Sequence, residues 1–235
     1  MQRKIVFSEG EYYHIYNRGV ERRDIFMETR DKERFVKLLY VANGTKAFEF
    51  RQIQNQLMGE IDRDEPLVAI GAYVLMPNHF HILVKETREN GISTFMEKFG
   101  TAYSMYFNKK YKRSGFLFQG NFKAEHVDND EYLKYLFAYI HLNPVKLIEP
   151  NWKETGIQDG ERAKKYLADY QHSSYADYAN GNAGEKRDEV AILTKEEFPE
   201  YFAHAHEFKD FVNDWLEFRE EAHVAGRAFT KSLSQ

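Results

Sequence analysis

Two imidazoles one residue apart, His79 and His81, stand among β-formers in the stretch 73–84, and Tyr139 and Asn143 stand four apart just before Pro144. On a strand, the period of two sends both histidines to one face and Phe80 to the other. That is the geometry of a two-histidine metal clasp. On a helix, a spacing of four gives Tyr139 and Asn143 a shared face, so an amide oxygen could join the imidazoles while a phenol points at the same centre. Such a donor set leaves a divalent ion open positions for water and phosphate oxygens, and it adds no negative charge to repel a phosphate. It suits Mg2+ or Mn2+ as a Lewis acid. A phenol with an ordinary pKa of about 10 is a poor nucleophile and must lose its proton to a base as it attacks. The sequence displays no such base.

Each residue also has a plainer reading. A His-x-His pair is equally a satisfied polar pair. Asn143 is also a helix terminator before proline, and Tyr139 is one of 16 tyrosines. His204 and His206 repeat the spacing in a segment that reads as helical. There, two residues subtend about 200°, so those rings are expected to diverge and not to bind a metal.

The elements that must position these groups follow from periodicity. Residues 11–18 are rich in β-formers and end at Gly19, which predicts a first strand and a turn carrying Arg18, Arg22 and Arg23. Phe35, Leu38, Leu39 and Ala42 recur at helical spacing before Asn43-Gly44. Residues 46–63 are ambiguous and read as a short strand around Phe48 and a second helical piece. Leu67 to Met76 is a nearly continuous apolar run, expected to be a strand buried on both faces, with 79–85 as its hairpin partner across Pro77-Asn78. A helix is expected over 92–111, followed by the cations Lys109, Lys110, Lys112 and Arg113. These fit either phosphate contacts beside stacking aromatics or a solvated helix end. A strand within 116–127, interrupted at 119–121, then leads to a helix from about Glu131 to Leu142.

Strand, helix, strand, strand, helix, strand, with a further helix, fits an α+β fold: a ferredoxin-like antiparallel sheet with helices on one face. Beyond Pro150 the pattern changes, and residues 151–235 read as a helical C-terminal extension with helices near 194–204 and 206–224. The net charge of −4 is unevenly spread. Residues 1–150 hold 22 Lys and Arg against 20 Asp and Glu, so the acidity lies in the extension. A local phosphate-binding surface is therefore compatible with the acidic total. The chain has no cysteine, which excludes disulfides and thiolate chemistry and suits a cytoplasmic location. No segment has the apolar length of a membrane span.

Three motifs together carry a resemblance: Met76-Pro77-Asn78-His79-Phe80-His81-Ile82-Leu83-Val84, then Phe118-Gln119-Gly120-Asn121-Phe122-Lys123, then Tyr139-Ile140-His141-Leu142-Asn143-Pro144-Val145. In combination they resemble the HUH single-tyrosine transposase superfamily, and within it the REP-associated tyrosine transposases. The resemblance spans roughly residues 10–150 and is weaker at Ser173-Ser174-Tyr175. It implies a catalytic domain over 1–150, His79, His81 and Asn143 as metal ligands, and Tyr139 as the nucleophile. It also implies a divalent metal, single-stranded or hairpin DNA as partner, and a 5′-phosphotyrosine intermediate. Lys123 joins Arg18, Arg22, Arg23 and the 109–113 cations as candidate DNA contacts. Relatives include both dimers that exchange the tyrosine helix and monomers, so both states stay open. Two other readings remain: a catalytically silent hairpin-binding protein derived from a transposase, and a zinc hydrolase built on His79 and His81.

Overall fold

A computed structural model describes residues 5–180 and 187–217. Four strands, β1 (Tyr12–Arg18), β2 (Val68–Met76), β3 (His79–Glu86) and β4 (Lys123–Val127), form one sheet in the order β2-β3-β1-β4. Every pairing is antiparallel. The helices are α1 (Thr29–Val41), α2 (Phe50–Ile53), α3 (Gly91–Lys110), α4 (Asp130–Leu142), α5 (Trp152–Thr155), α6 (Gly160–Asp169), α7 (Tyr175–Ala179) and α8 (Ala205–Glu217). The α+β class and antiparallel sheet are those expected.

The layering is fuller than expected. Helices α1 and α3 cover one face, where Phe35 and Phe99 pack on Phe80, Ile82 and Ile15. Helix α4 covers the other, with Leu136, Phe137 and Ile140 against Ala72, Val74 and Leu83. The expectation of helices on one face is corrected for a reason visible in β2. All nine of its residues are buried, and a strand apolar on both faces needs a cover on each.

Three segments differ from their sequence reading. No strand forms near Phe48; that region holds α2 and a short 3-10 turn, Met58–Glu60. The strand expected within 116–127 is regular only over Lys123–Val127, with Phe118 making an isolated bridge to Gly19. The helix expected at 194–204 is reduced to a 3-10 turn at Lys195–Glu197, because Phe198 precedes Pro199 and is extended, at φ −116° and ψ 153°. The last expected helix is α8, and its part beyond 217 lies outside the described residues.

Residues beyond 150 complete the sheet. Along the outer margin of β2, Thr194 N–H donates to Ile70 O at 3.0 Å, Ser174 N–H donates to Tyr73 O at 3.0 Å, and Leu75 N–H donates to His172 O at 2.9 Å. Tyr178 Oη donates to Gly71 O at 2.7 Å. Gly71 is required here: a Cβ on it would lie 2.6 Å from the Phe198 ring. Helix α4 contributes to the cluster on the sheet and, through Ala138 and Leu142, to the cluster formed with Leu167, Phe208 and Val212. The expected boundary at residue 150 therefore does not separate two cores.

Candidate active site

The β2–β3 hairpin turns at Pro77-Asn78, which sets His79 at the first position of β3. Phe80 points into the α1/α3 core, 5.0 Å from the Phe35 ring, so His79 and His81 share the α4 face, as their spacing predicts. Their rings are 5.2 Å apart and nearly perpendicular, at 88°. Tyr139 on α4 and Asn143 at its C-cap reach the same place, and all four residues line a cleft of about 450 Å³.

Each imidazole has one ring nitrogen engaged by a neighbouring side chain. Asn78 Nδ2 donates to Arg22 O at 3.1 Å, so its amide oxygen, 2.6 Å from His79 Nδ1, accepts from that nitrogen. His79 Nε2 is left with a lone pair. His81 Nδ1 lies 2.9 Å from His14 Nε2, and this too engages the nitrogen other than Nε2. Asn143 Nδ2 donates to Tyr139 O at 3.3 Å, leaving Oδ1 as the acceptor. Two imidazole nitrogens and one amide oxygen fit a hard or borderline divalent ion with open positions. Among the described residues no cluster of three or more His, Cys, Asp or Glu side chains suits a metal; the amide of Asn143 lines the same cleft as the two histidines.

Tyr139 is 5% exposed. Burial pushes its phenol up to about 12; Asn143 and the charge of Lys146 pull the other way, and Glu125 adds to the rise. The ring lies edge-on to His81, with centroids 5.5 Å apart, and stacks on Tyr135 at 5.8 Å.

The expected cations divide. Arg18, Arg22 and Lys123 line the cleft, and Arg18 Nε donates to Gln119 Oε1. Arg23 instead pairs with Glu21 at 4.0 Å and is not in the lining. Lys109, Lys112 and Arg113, at and beyond the end of α3, do not line it either; Arg113 donates to Asn108 Oδ1 at 3.1 Å. Lys110 is bound to Asp31 and Glu28, each at 2.6 Å. Asp31 is fully buried and also accepts from Tyr106 at 2.8 Å and Tyr111 at 2.7 Å. These donors outweigh burial and hold its carboxyl below the usual range.

Sequence reasoning missed Lys146, Tyr16, Asn17 and Gln119 in the cleft lining, and His14 beneath it. The alternation Tyr12, His14, Tyr16 could have placed His14 and Tyr16 on the histidine face. Lys146 lies on the 3-10 turn Asn143–Leu147 that follows α4, beyond the helix stop that the sequence places at Pro144. The second pair, His204 and His206, departs from expectation. His204 precedes α8, and the rings stack at 5.6 Å and 17° instead of diverging.

Residues 8–143, more than half of the chain, match the IS200-like transposase family, and the chain belongs to that family. No curated protein matches it. Among solved structures it is similar to a REP-associated tyrosine transposase bound to a REP hairpin, at 13% identity and a TM-score of 0.45, over 80% of this chain and 90% of that one. It is also similar to a bacterial tRNA(His) guanylyltransferase-like protein in complex with ATP, at 11% identity and a TM-score of 0.36, over 72% of each chain. No helix among the described residues is long and apolar enough to cross a membrane.

Proposed function

We propose that the protein is a metal-dependent single-strand DNA endonuclease and strand transferase acting at hairpin or repeat DNA, with Tyr139 as nucleophile. One observation carries this reading. The cleft that holds Tyr139, His79, His81 and Asn143 is also lined by Arg18, Arg22, Lys123 and Lys146, and none of its lining residues is acidic. Such a cleft favours a phosphate-bearing substrate.

His79 Nε2, His81 Nε2 and Asn143 Oδ1 would hold Mg2+ or Mn2+, which when bound polarises a phosphate oxygen. The cations hold the flanking phosphates and set the strand's register. The Tyr139 oxygen forms a bond to phosphorus as the bond from phosphorus to the 3′ oxygen breaks. The phenol proton passes to a base, and the leaving oxygen takes one up. A 5′-phosphotyrosine and a free 3′-hydroxyl result, and another 3′-hydroxyl can reverse the exchange without ATP.

The test is a labelled, hairpin-bearing single strand incubated with the protein and Mg2+ or Mn2+, followed by peptide mapping. A covalent adduct on Tyr139 is expected, with none from Tyr139→Phe. An adduct that survives this substitution removes Tyr139 from the role. A second reading, a catalytically silent hairpin-binding protein, is favoured by the burial of the phenol and its raised pKa. Hairpin binding with no adduct under any divalent metal would establish it.

A further inference from the structure

Buried polar groups cross three strands beneath the two cleft histidines. His14 on β1 is fully buried, and its Nε2 lies 2.9 Å from His81 Nδ1 on β3. On its other side His14 stands opposite Glu125 in the β1–β4 register, with Nδ1 3.9 Å from Glu125 Oε2. Two phenols hold that carboxylate: Tyr16 Oη donates to Oε1 at 2.8 Å, and Tyr132 Oη donates to Oε2 at 3.1 Å. Tyr132 belongs to α4, the helix that also carries Tyr139.

A neutral imidazole has one N–H and one lone pair, so the bond between His14 and His81 permits two arrangements. If His14 donates, His81 carries its proton on Nε2 and that nitrogen cannot bind an ion. If His81 donates from Nδ1, its Nε2 keeps a lone pair, and His14 carries its proton on Nδ1, the nitrogen that faces Glu125. Only the second arrangement sets an N–H toward the carboxylate. The pattern is that of the outer partners that orient metal-binding histidines.

We propose that His14 and Glu125 are positioning residues that hold His81 in its Nδ1-protonated tautomer, keeping Nε2 as the lone-pair donor for a divalent metal. The proposal rests on the reading of His79 and His81 as a metal pair. It also gives Glu125 a double attachment. Through Tyr132 the same carboxylate fixes the nucleophile's helix, so the metal side and the tyrosine side of the cleft share one anchor.

Nitrogen-15 NMR of ring-labelled histidines in the metal-free, full-length protein reads the tautomer directly, and Mn2+ titration reads affinity apart from turnover. His81 is expected as the Nδ1–H form. His14→Ala should lose that preference and weaken Mn2+ binding by about tenfold or more. His14→Gln, whose amide oxygen can accept the same hydrogen bond, should restore part of both, and Glu125→Gln should weaken binding in the same direction. If His14→Ala fails to fold, His14→Gln and the wild-type tautomer decide the matter. An Nε2–H form of His81 in the wild-type protein overturns the proposal, as does a folded His14→Ala protein that binds Mn2+ as tightly as wild type. Wild-type protein with the Nδ1–H form and no Mn2+ binding would instead overturn the metal-pair reading and, with it, the purpose assigned to His14.

Discussion

Ser174 Oγ lies 2.7 Å from His141 Nε2, on the side of α4 turned away from Tyr139 and Asn143. Positions two apart on a helix point about 200° away from each other, so His141 faces the extension while its neighbours face the cleft. His141 Nδ1 donates to Phe137 O at 2.8 Å, which makes Nε2 an acceptor and Ser174 its donor. The Ser174 oxygen also accepts from the Tyr73 amide at 3.0 Å. One hydroxyl thus ties the tyrosine helix to the margin of the sheet. Ser174→Ala leaves two buried groups unsatisfied and is expected to cost about 1–3 kcal/mol of stability. Urea denaturation measures it, and a loss below a few tenths would show the contact to be dispensable.

Asp177 makes stability depend on pH. Burial raises its carboxyl to about 6 from 3.8, against the opposing pull of Arg187, whose Nε is 3.8 Å from Oδ1. A raised folded pKa contributes stability that is fully present below pH 3.8 and is lost as pH rises through about 6. Asp177→Asn cannot ionise, so its stability relative to wild type should grow between pH 4 and pH 7, by about 1–3 kcal/mol. Unfolding curves at single-unit intervals test this; a difference that does not vary with pH removes Asp177 as the cause.

The cations should separate by salt dependence. Removing Arg18, Lys123 or Lys146 should weaken hairpin binding and flatten the logarithmic salt slope by about 0.7–0.9 each. Lys110→Met should leave that slope alone, since its charge is neutralised by Asp31 and Glu28. It should lower stability by about 1–3 kcal/mol, because Asp31 loses a charged donor. Fluorescence anisotropy at several salt concentrations, paired with thermal denaturation, distinguishes the two groups.

Helix α4 is held to its own sheet through Tyr132–Glu125 on one side and His141–Ser174 on the other. Tyr139 should therefore act on DNA bound by its own chain. A mixture of Tyr139→Phe and His79→Ala proteins is expected to give no more adduct than the two alone; recovery toward a quarter or more of wild-type yield would mean that helices are exchanged.

Much of this was legible in the sequence because it rests on local periodicity. The period of two put His79 and His81 together, and the spacing of four put Tyr139 and Asn143 on one face; the cleft joins the two pairs. What escaped depends on contacts between distant segments. Lys110 read as a free cation because Asp31 is 79 residues away. His14 read as an ordinary strand residue because its partner is 67 residues away. The cover on the second face of the sheet was implied by the unbroken apolar run of β2 but was not placed, since a strand's burial does not name what buries it.

The hydrogen bonds from residues 172–194 to β2 also bear on how small a working protein can be made. A chain cut after Pro150 would keep every residue of the cleft and lose the groups that satisfy Ile70, Gly71, Tyr73 and Leu75. It would present a nine-residue apolar strand with an open margin, the kind of surface on which chains stack into insoluble sheets. A fragment limited to the three motifs is thus expected to aggregate more readily than the full chain.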